Sequence, residues 1–265
     1  VSREQERVDP GELPAWLRPV VATARAIRPE QLSTFLPPAE GGRPGAVLML
    51  FGEQDGRPDL LLIERAHDMR SHAGQPAFPG GAVDPHDDGP VAAALREAAE
   101  ETGLDPAGVD VAATLPALWL PPSGFVVTPV LAWWRAPSPV SVVDPREVAS
   151  VHRVPLDELL DPANRLTVRH PSGFRGPAFA VRGLMVWGFT AGLLARLLAA
   201  AGLERPWDSS RIEDLPPEVL QRALRSEAHP GFVVTDQPGT PDQPGTPDQP
   251  GTPDQPGTPD QQEAG

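Results

Sequence analysis

FPGGAVDPHDDGPVAAALREAAEETGL, residues 78–104, is the stretch on which the fold turns. Its second half is punctuated as a helix over residues 90–102. Pro90 suits the first turn, where its missing N–H is harmless, and Gly103 suits the left-handed position that closes a helix. At about 100° per residue, Val91, Leu95, Ala98 and Ala99 are expected on one face and Glu97, Glu100 and Glu101 together on the other. Like charges at this spacing repel, and they stand at the negative end of the helix macrodipole. Arg96 offsets only part of that. An ordinary solvated face is the plain account of such a run. The two glycines upstream argue for another. Gly80 and Gly81 permit positive φ and close approach to a ligand, and a carbonyl freed there adds a hard oxygen. Carboxylates with a carbonyl suit Mg²⁺ or Mn²⁺, which would relieve the repulsion.

Outward from this helix, alternating and apolar runs predict a layered domain. AVLMLFG (46–52) and DLLLIERA (59–66) read as strands around an EQDGRP turn. Further strands are expected at 109–116, 125–134 and 148–155, with LDELL opening a short helix. Residues 14–27 read as an amphipathic helix, part of an N-terminal helical extension over residues 1–40. Strands interleaved with helices predict an α/β or α+β domain over residues 41–234. MVWGFTAGLLARLLAAAG (185–202) contains Arg196 and two internal glycines, so it is read as a core helix with no membrane role. From residue 235 the chain repeats PDQPGT without a positive charge or a large apolar residue, and is expected to be a disordered tail.

Composition removes several chemistries. The 265 residues carry 22 basic side chains, all arginine, against 36 acidic ones, for a net charge of −14. A broad nucleic-acid surface is therefore not expected, while a small anionic substrate fits wherever arginines gather. Cysteine is absent, which removes disulfides, thiolate metal sites and cysteine nucleophiles. The first residues, as given, carry no apolar segment of a secretory signal, so a cytoplasmic location is the expectation. No serine-nucleophile motif, P-loop or G-x-G-x-x-G fingerprint occurs.

The diglycine followed by REAAEETGL resembles the Nudix box, written G-x5-E-x7-R-E-U-x-E-E-x-G-U with U apolar. Arg96, Glu97, Glu100, Glu101, Gly103 and Leu104 match its second half. The first half is one residue longer, with an aspartate, Asp87, where the box has its first glutamate. This longer, aspartate-bearing form is similar to the coenzyme A pyrophosphatase branch, whose upstream motif LLTxR(S/A)x3Rx3Gx3FPGG is met by LLIERAHDMRSHAGQPAFPGG (61–81), with Ile63 in place of threonine. Further likeness at SGFVVTPV (123–130), REVASVHRVPL (146–156) and VWGFTAGLLARL (186–197) extends the resemblance over most of residues 46–200.

The resemblance implies a mixed β-sheet sandwiched between helices and a reaction in which water attacks a substituted diphosphate. For coenzyme A the products would be 4′-phosphopantetheine and adenosine 3′,5′-bisphosphate. Screening of the polyanion by Mg²⁺ or Mn²⁺ is the physical need. Glu97 and Glu101 are the first expected metal ligands, with Glu100 and the Gly81 carbonyl next, and Asp87 supporting them at one remove. Arg96 is expected to orient a glutamate. Arg65 and Arg70, with Gly80 and Gly81, would receive the diphosphate or the ribose 3′-phosphate. Glu101 is counted as catalytic through the metal, and the general base is left between Glu100 of the box and Glu147 in PREVASV. His67, His72 and His152 could contact substrate, but lone histidines are more often structural or exposed, and they are read so. Two other readings stay open: a Nudix hydrolase of another nucleoside diphosphate derivative, and a non-catalytic Nudix-like binding module, which the complete set of box carboxylates disfavours. Oligomeric state is open, a homodimer included.

Overall fold

The structure, a computed structural model, describes residues 8–67, 73–121 and 123–221. Arg70, His72 and the PDQPGT repeat lie outside the described residues. In chain order the elements are α1 (Arg18–Ala26), α2 (Pro29–Leu32), β1 (Arg43–Gln54), β2 (Arg57–Arg65), β3 (Pro76–Ala77), β4 (Gly80–Ala82) and α3 (Pro90–Thr102). There follow β5 (Val109–Thr114), β6 (Leu118–Leu120), β7 (Phe125–Trp134), β8 (Val148–Pro155), α4 (Leu156–Leu159), β9 (Arg165–Arg169), β10 (Arg175–Val181), β11 (Leu184–Val186), α5 (Gly188–Ala200) and β12 (Ile212–Asp214).

β1 and β2 form a hairpin closed by Asp55 and Gly56, both at positive φ as a two-residue turn of this hand requires. β1 lies parallel to β7, and β2 antiparallel to β8, so the principal sheet is mixed. Side chains alternate along the strands. Ala46, Leu48 and Leu50 of β1 pack with Ala93, Ala94 and Ala98 of α3, while Met49 and Phe51 pack with Val20 and Val21 of α1 and Leu194 and Leu197 of α5. The sheet is thus covered by α3 on one face and by α1 and α5 on the other, the layered α+β arrangement expected. Among the described residues no helix is long and apolar enough to cross a membrane.

β1 and β2 pair only from Phe51↔Leu60 to Gln54↔Arg57. Beyond that they diverge, and the FPGG segment enters the gap. β3 pairs with β2 through Ile63↔Ala77, and β4 pairs with β1 through Ala46↔Gly81 and Val47↔Gly80. This wedge brings the two glycines to the sheet in front of α3.

A second sheet, ordered β11-β10-β9-β12, is absent from the sequence reading. Its hairpin turn at Arg182 and Gly183 has both residues at positive φ. Phe179, Val181 and Val186 from this sheet join the core shared with α1 and α5.

Candidate active site

The helix α3 has the ends its sequence predicts: Pro90 in the first turn, and Gly103 left-handed with its N–H bonded to the Ala99 carbonyl at 2.9 Å. Its faces differ from the expectation. The buried positions are Ala93, Ala94, Ala98, Glu101 and Thr102, with Val91 and Leu95 packed at the flank and Ala99 only half-buried. Three alanines let the helix approach β1 closely, which longer side chains would prevent. As a result the three glutamates do not share one surface. Side-chain exposure is 57% for Glu100, 20% for Glu97 and 5% for Glu101.

Glu101 points into the wedge. Its Oε2 accepts the Gly80 N–H at 2.9 Å, and its Oε1 lies 4.0 Å from Arg65 Nη1. Burial pushes its carboxyl up to about 7, against the opposing pull of the Gly80 N–H and Arg65, while Glu97 and Glu147 push the same way as burial. Glu97 is also raised, by burial first, with Arg96 acting against it.

Arg96 is the hub of the second half of the box. Its guanidinium grips Asp87 through two bonds of 3.0 Å, and Nη1 donates to Glu97 Oε1 at 3.0 Å and to Glu100 Oε2 at 2.9 Å. Nη2 also donates to the Ala82 carbonyl at 3.1 Å, tying the helix to β4. This is the orienting place the sequence reading gives to Arg96, and it puts Asp87 one bond away from Glu97.

The diglycine is a steric necessity. A Cβ on Gly81 would fall 2.5 Å from the Glu97 carboxyl carbon, and one on Gly80 would fall 2.2 Å from the Ala46 carbonyl oxygen, at a φ of +154°. Gly45, which the sequence reading did not single out, faces the same restriction, with the Gly81 carbonyl oxygen 3.1 Å from its Cβ position. The available signal was a glycine at the start of an otherwise apolar strand.

The structure therefore gathers Arg65, Gly80, Gly81, Glu97 and Glu101, and places Glu147 at their margin. The Glu147 carbonyl accepts the Ala66 N–H at 2.8 Å, and its charge raises Glu101. Glu100 stands one step out, on Arg96. His67 and His152 do not join the group: both bond into a Glu64–Ser150 network, with Glu64 Oε1 at 3.1 Å from His67 Nε2 and Ser150 Oγ at 2.7 Å from His152 Nε2.

The donor set is carboxylate and carbonyl oxygen, which suits a hard dication, and a buried carboxylate held near 7 is a group whose ionised form such a charge would stabilise. Among the described residues, no three His, Asp or Glu side chains converge as placed into a metal-binding group. Glu97, Glu101 and the Gly81 carbonyl fit an ion that completes its shell with water and substrate oxygens.

The family model described as NUDIX domain matches residues 42–172. The protein named Uncharacterized Nudix hydrolase NudL from Citrobacter koseri is 41% identical over 162 residues, covering 56% of this chain and 77% of that one. Its namesake from Cronobacter sakazakii is 43% identical over 156 residues, covering 56% and 78%. Among solved structures, the M. smegmatis Nudix hydrolase RenU shares 22% identity, with a TM-score of 0.45 over 64% of this chain and 91% of that one.

Proposed function

This chain belongs to the Nudix family, and on that premise we propose that it hydrolyses the diphosphate of coenzyme A or its derivatives to 4′-phosphopantetheine and adenosine 3′,5′-bisphosphate. Family membership supports the coarser activity, a hydrolase of nucleoside diphosphate derivatives. The observation that carries the finer reading is Arg65. It belongs to the LLIERAHDMRSHAGQPAFPGG motif upstream of the box, and it reaches the buried Glu101 at the site's centre. An arginine there receives an anionic substrate by paired N–H donors, which suits a phosphorylated nucleotide better than a neutral one.

Glu97, Glu101 and the Gly81 carbonyl would hold Mg²⁺ or Mn²⁺. Bound there, the cation screens the phosphates, lowers the pKa of water and stabilises the departing phosphate oxygen. Arg96 keeps Glu97 in place and leaves its second oxygen to the site. Glu100 is committed to Arg96, so the proton of the attacking water passes to the exposed Glu147 carboxylate, whose backbone is anchored just before β8 where its carbonyl accepts the Ala66 N–H. Arg65, facing Glu101, steadies the developing phosphate charge.

The test is incubation of the purified protein with Mg²⁺ or Mn²⁺ and coenzyme A, an acyl-coenzyme A, ADP-ribose or NADH, with products resolved by chromatography. Preferential formation of 4′-phosphopantetheine is expected, with a loss of about a hundredfold or more in Glu97→Gln and Glu101→Gln. Preferential cleavage of ADP-ribose or NADH would replace coenzyme A with another nucleoside diphosphate derivative. Full activity in both variants would remove this helix from the reaction.

A further inference from the structure

The second sheet carries a cleft that the reaction above does not use. Side chains alternate along β9, so Arg165 and Thr167 share a face, and their register partners on β10, Phe179 and Pro177, lie on the same side. Opposite them α5 contributes Ala195 and Ala199, one turn apart, with Arg196 beside them. The segment 204–209 closes one side. Glu204 Oε1 accepts Arg165 Nη2 and Trp207 Nε1, each at 3.0 Å, and the Ser209 carbonyl accepts Thr167 Oγ1 at 2.9 Å. The cleft has a volume of about 350 Å³, which is ample for a small ligand. None of its lining comes from α3, β2 or β4, and α5 covers the face of the principal sheet opposite α3.

Arg165 is only 2% exposed, with its guanidinium carbon 4.5 Å from the Phe179 ring centroid and 4.6 Å from that of Trp207. Nη2 is engaged by Glu204, whereas Nε is buried without an acceptor. Buried donors are normally matched, so an unmatched one marks a place where an acceptor is wanted. Burial also works against the charge of Arg165, with Glu204 opposing. Arg175 and Arg196 line the same cleft, are exposed, and make no ion pair among the described residues. The nearby Arg169 and Arg211, by contrast, hold Asp214 and Glu213. Glu204 is the one acid in the lining, so its three arginines leave an excess of two positive charges on a chain that is strongly negative as a whole.

We propose that this cleft is a second ligand site, for an organic phosphate monoester, separate from the diphosphate site at α3. A phosphate monoester carries close to two negative charges and three acceptor oxygens, which matches the excess, and guanidiniums pair with such oxygens through twin N–H donors. Pro177, Ala195, Ala199 and the Trp207 ring offer the organic part an apolar floor. Inorganic phosphate would leave that floor uncovered, and a neutral ligand would leave the arginines unmatched. Opening a diphosphate linkage with water releases phosphate monoesters, so the ligand belongs to the class of the enzyme's own products. The site does not depend on which diphosphate is cleaved.

The test is calorimetric titration of the full chain, in the presence of a chelator, with phenyl phosphate, inorganic phosphate and benzyl alcohol. Phenyl phosphate is expected to bind most tightly. Arg165 is too deeply packed for a clean deletion, so the exposed pair is changed instead: Arg175→Gln with Arg196→Gln should weaken both phosphate probes by about ten- to a hundredfold, as for lost charge-assisted bonds. Trp207→Leu, with its thermal midpoint checked, should lower phenyl phosphate several-fold and leave inorganic phosphate nearly unchanged. Arg65→Ala, at the diphosphate site, should leave both affinities as they are. Binding lost in Arg65→Ala but kept in the Arg175 and Arg196 double variant would assign the probe to the diphosphate site and overturn the proposal. So would benzyl alcohol or inorganic phosphate binding as tightly as phenyl phosphate. Absence of phenyl phosphate binding at millimolar concentration overturns it as well.

Discussion

Gly81 and Arg96 set the position of Glu97 from opposite sides, one by what it lacks and the other by what it donates. Any side chain at 81 collides with the Glu97 carboxylate, whose atoms lie 2.5–2.6 Å from the Cβ position. Gly81→Ala is therefore expected to swing Glu97 away and reduce kcat/KM by about a hundredfold, with the thermal midpoint changed little because the carboxylate is only partly buried. Circular dichroism melting beside a steady-state assay would check it. An unaltered rate would show that Glu97 works from another rotamer. Arg96→Lys tests the other side. A lysine carries the charge but cannot reproduce the twin bonds to Asp87 while also serving Glu97 and Glu100. The expected result is a fall in kcat of about ten- to a hundredfold with KM nearly constant, as for residues that orient a ligand without touching substrate.

At the scale of elements, the sequence showed whatever is encoded locally and concealed whatever depends on pairing. Pro90 and Gly103 mark α3 because helix ends have their own chemistry, and β7 and β8 occupy the expected 125–134 and 148–155. β3 and β4 leave no periodic trace. They are two and three residues long, the second with two glycines, and exist because β1 and β2 diverge and leave unpaired edges. The second sheet was missed for a similar reason: β9, β11 and β12 are short, and the Arg182–Gly183 turn is not among the strongest hairpin signals. Of the candidate site, residue identities were legible, but their division was not. Helical angles grouped Glu97, Glu100 and Glu101, and only the close alanine contact with β1 shows that Glu101 is interior and Glu100 exterior. The cap itself gives a prediction. Gly103 has φ +72° and its Cβ position meets only the Val143 side chain, at an ordinary contact of 3.6 Å, so Gly103→Ala brings backbone strain without a clash. It should cost about 1 kcal/mol, readable as a shift in urea midpoint with unchanged slope. A neutral result would mean that the helix end relaxes out of the left-handed conformation.

For the whole molecule, Glu101 sets stability against function. Its carboxyl is held at about 7, against a reference of 4.5, chiefly by burial. Below the reference value both folded and unfolded chains hold the proton. As pH rises from about 4.5 to 7 the unfolded chain releases it first, so stability declines through that window and is level above it. The full shift corresponds to about 3 kcal/mol, an upper figure for the metal-free protein. Glu101→Gln removes the titration and keeps an oxygen able to accept the Gly80 N–H. In the presence of a chelator the variant should therefore be more stable than the wild type at pH 8, by about 1–3 kcal/mol, with the two converging near pH 4 as wild-type Glu101 becomes neutral. Urea unfolding across that range measures this directly. Mg²⁺ or Mn²⁺ should stabilise the wild type at pH 8 by mass action and leave the variant nearly unmoved. Should Glu101→Gln be the weaker protein at pH 8, the Gly80 and Arg65 contacts outweigh desolvation, and the carboxylate is a structural asset. If the prediction holds, the fold keeps at its centre a charge that destabilises the metal-free chain, as expected of a group retained for what it binds.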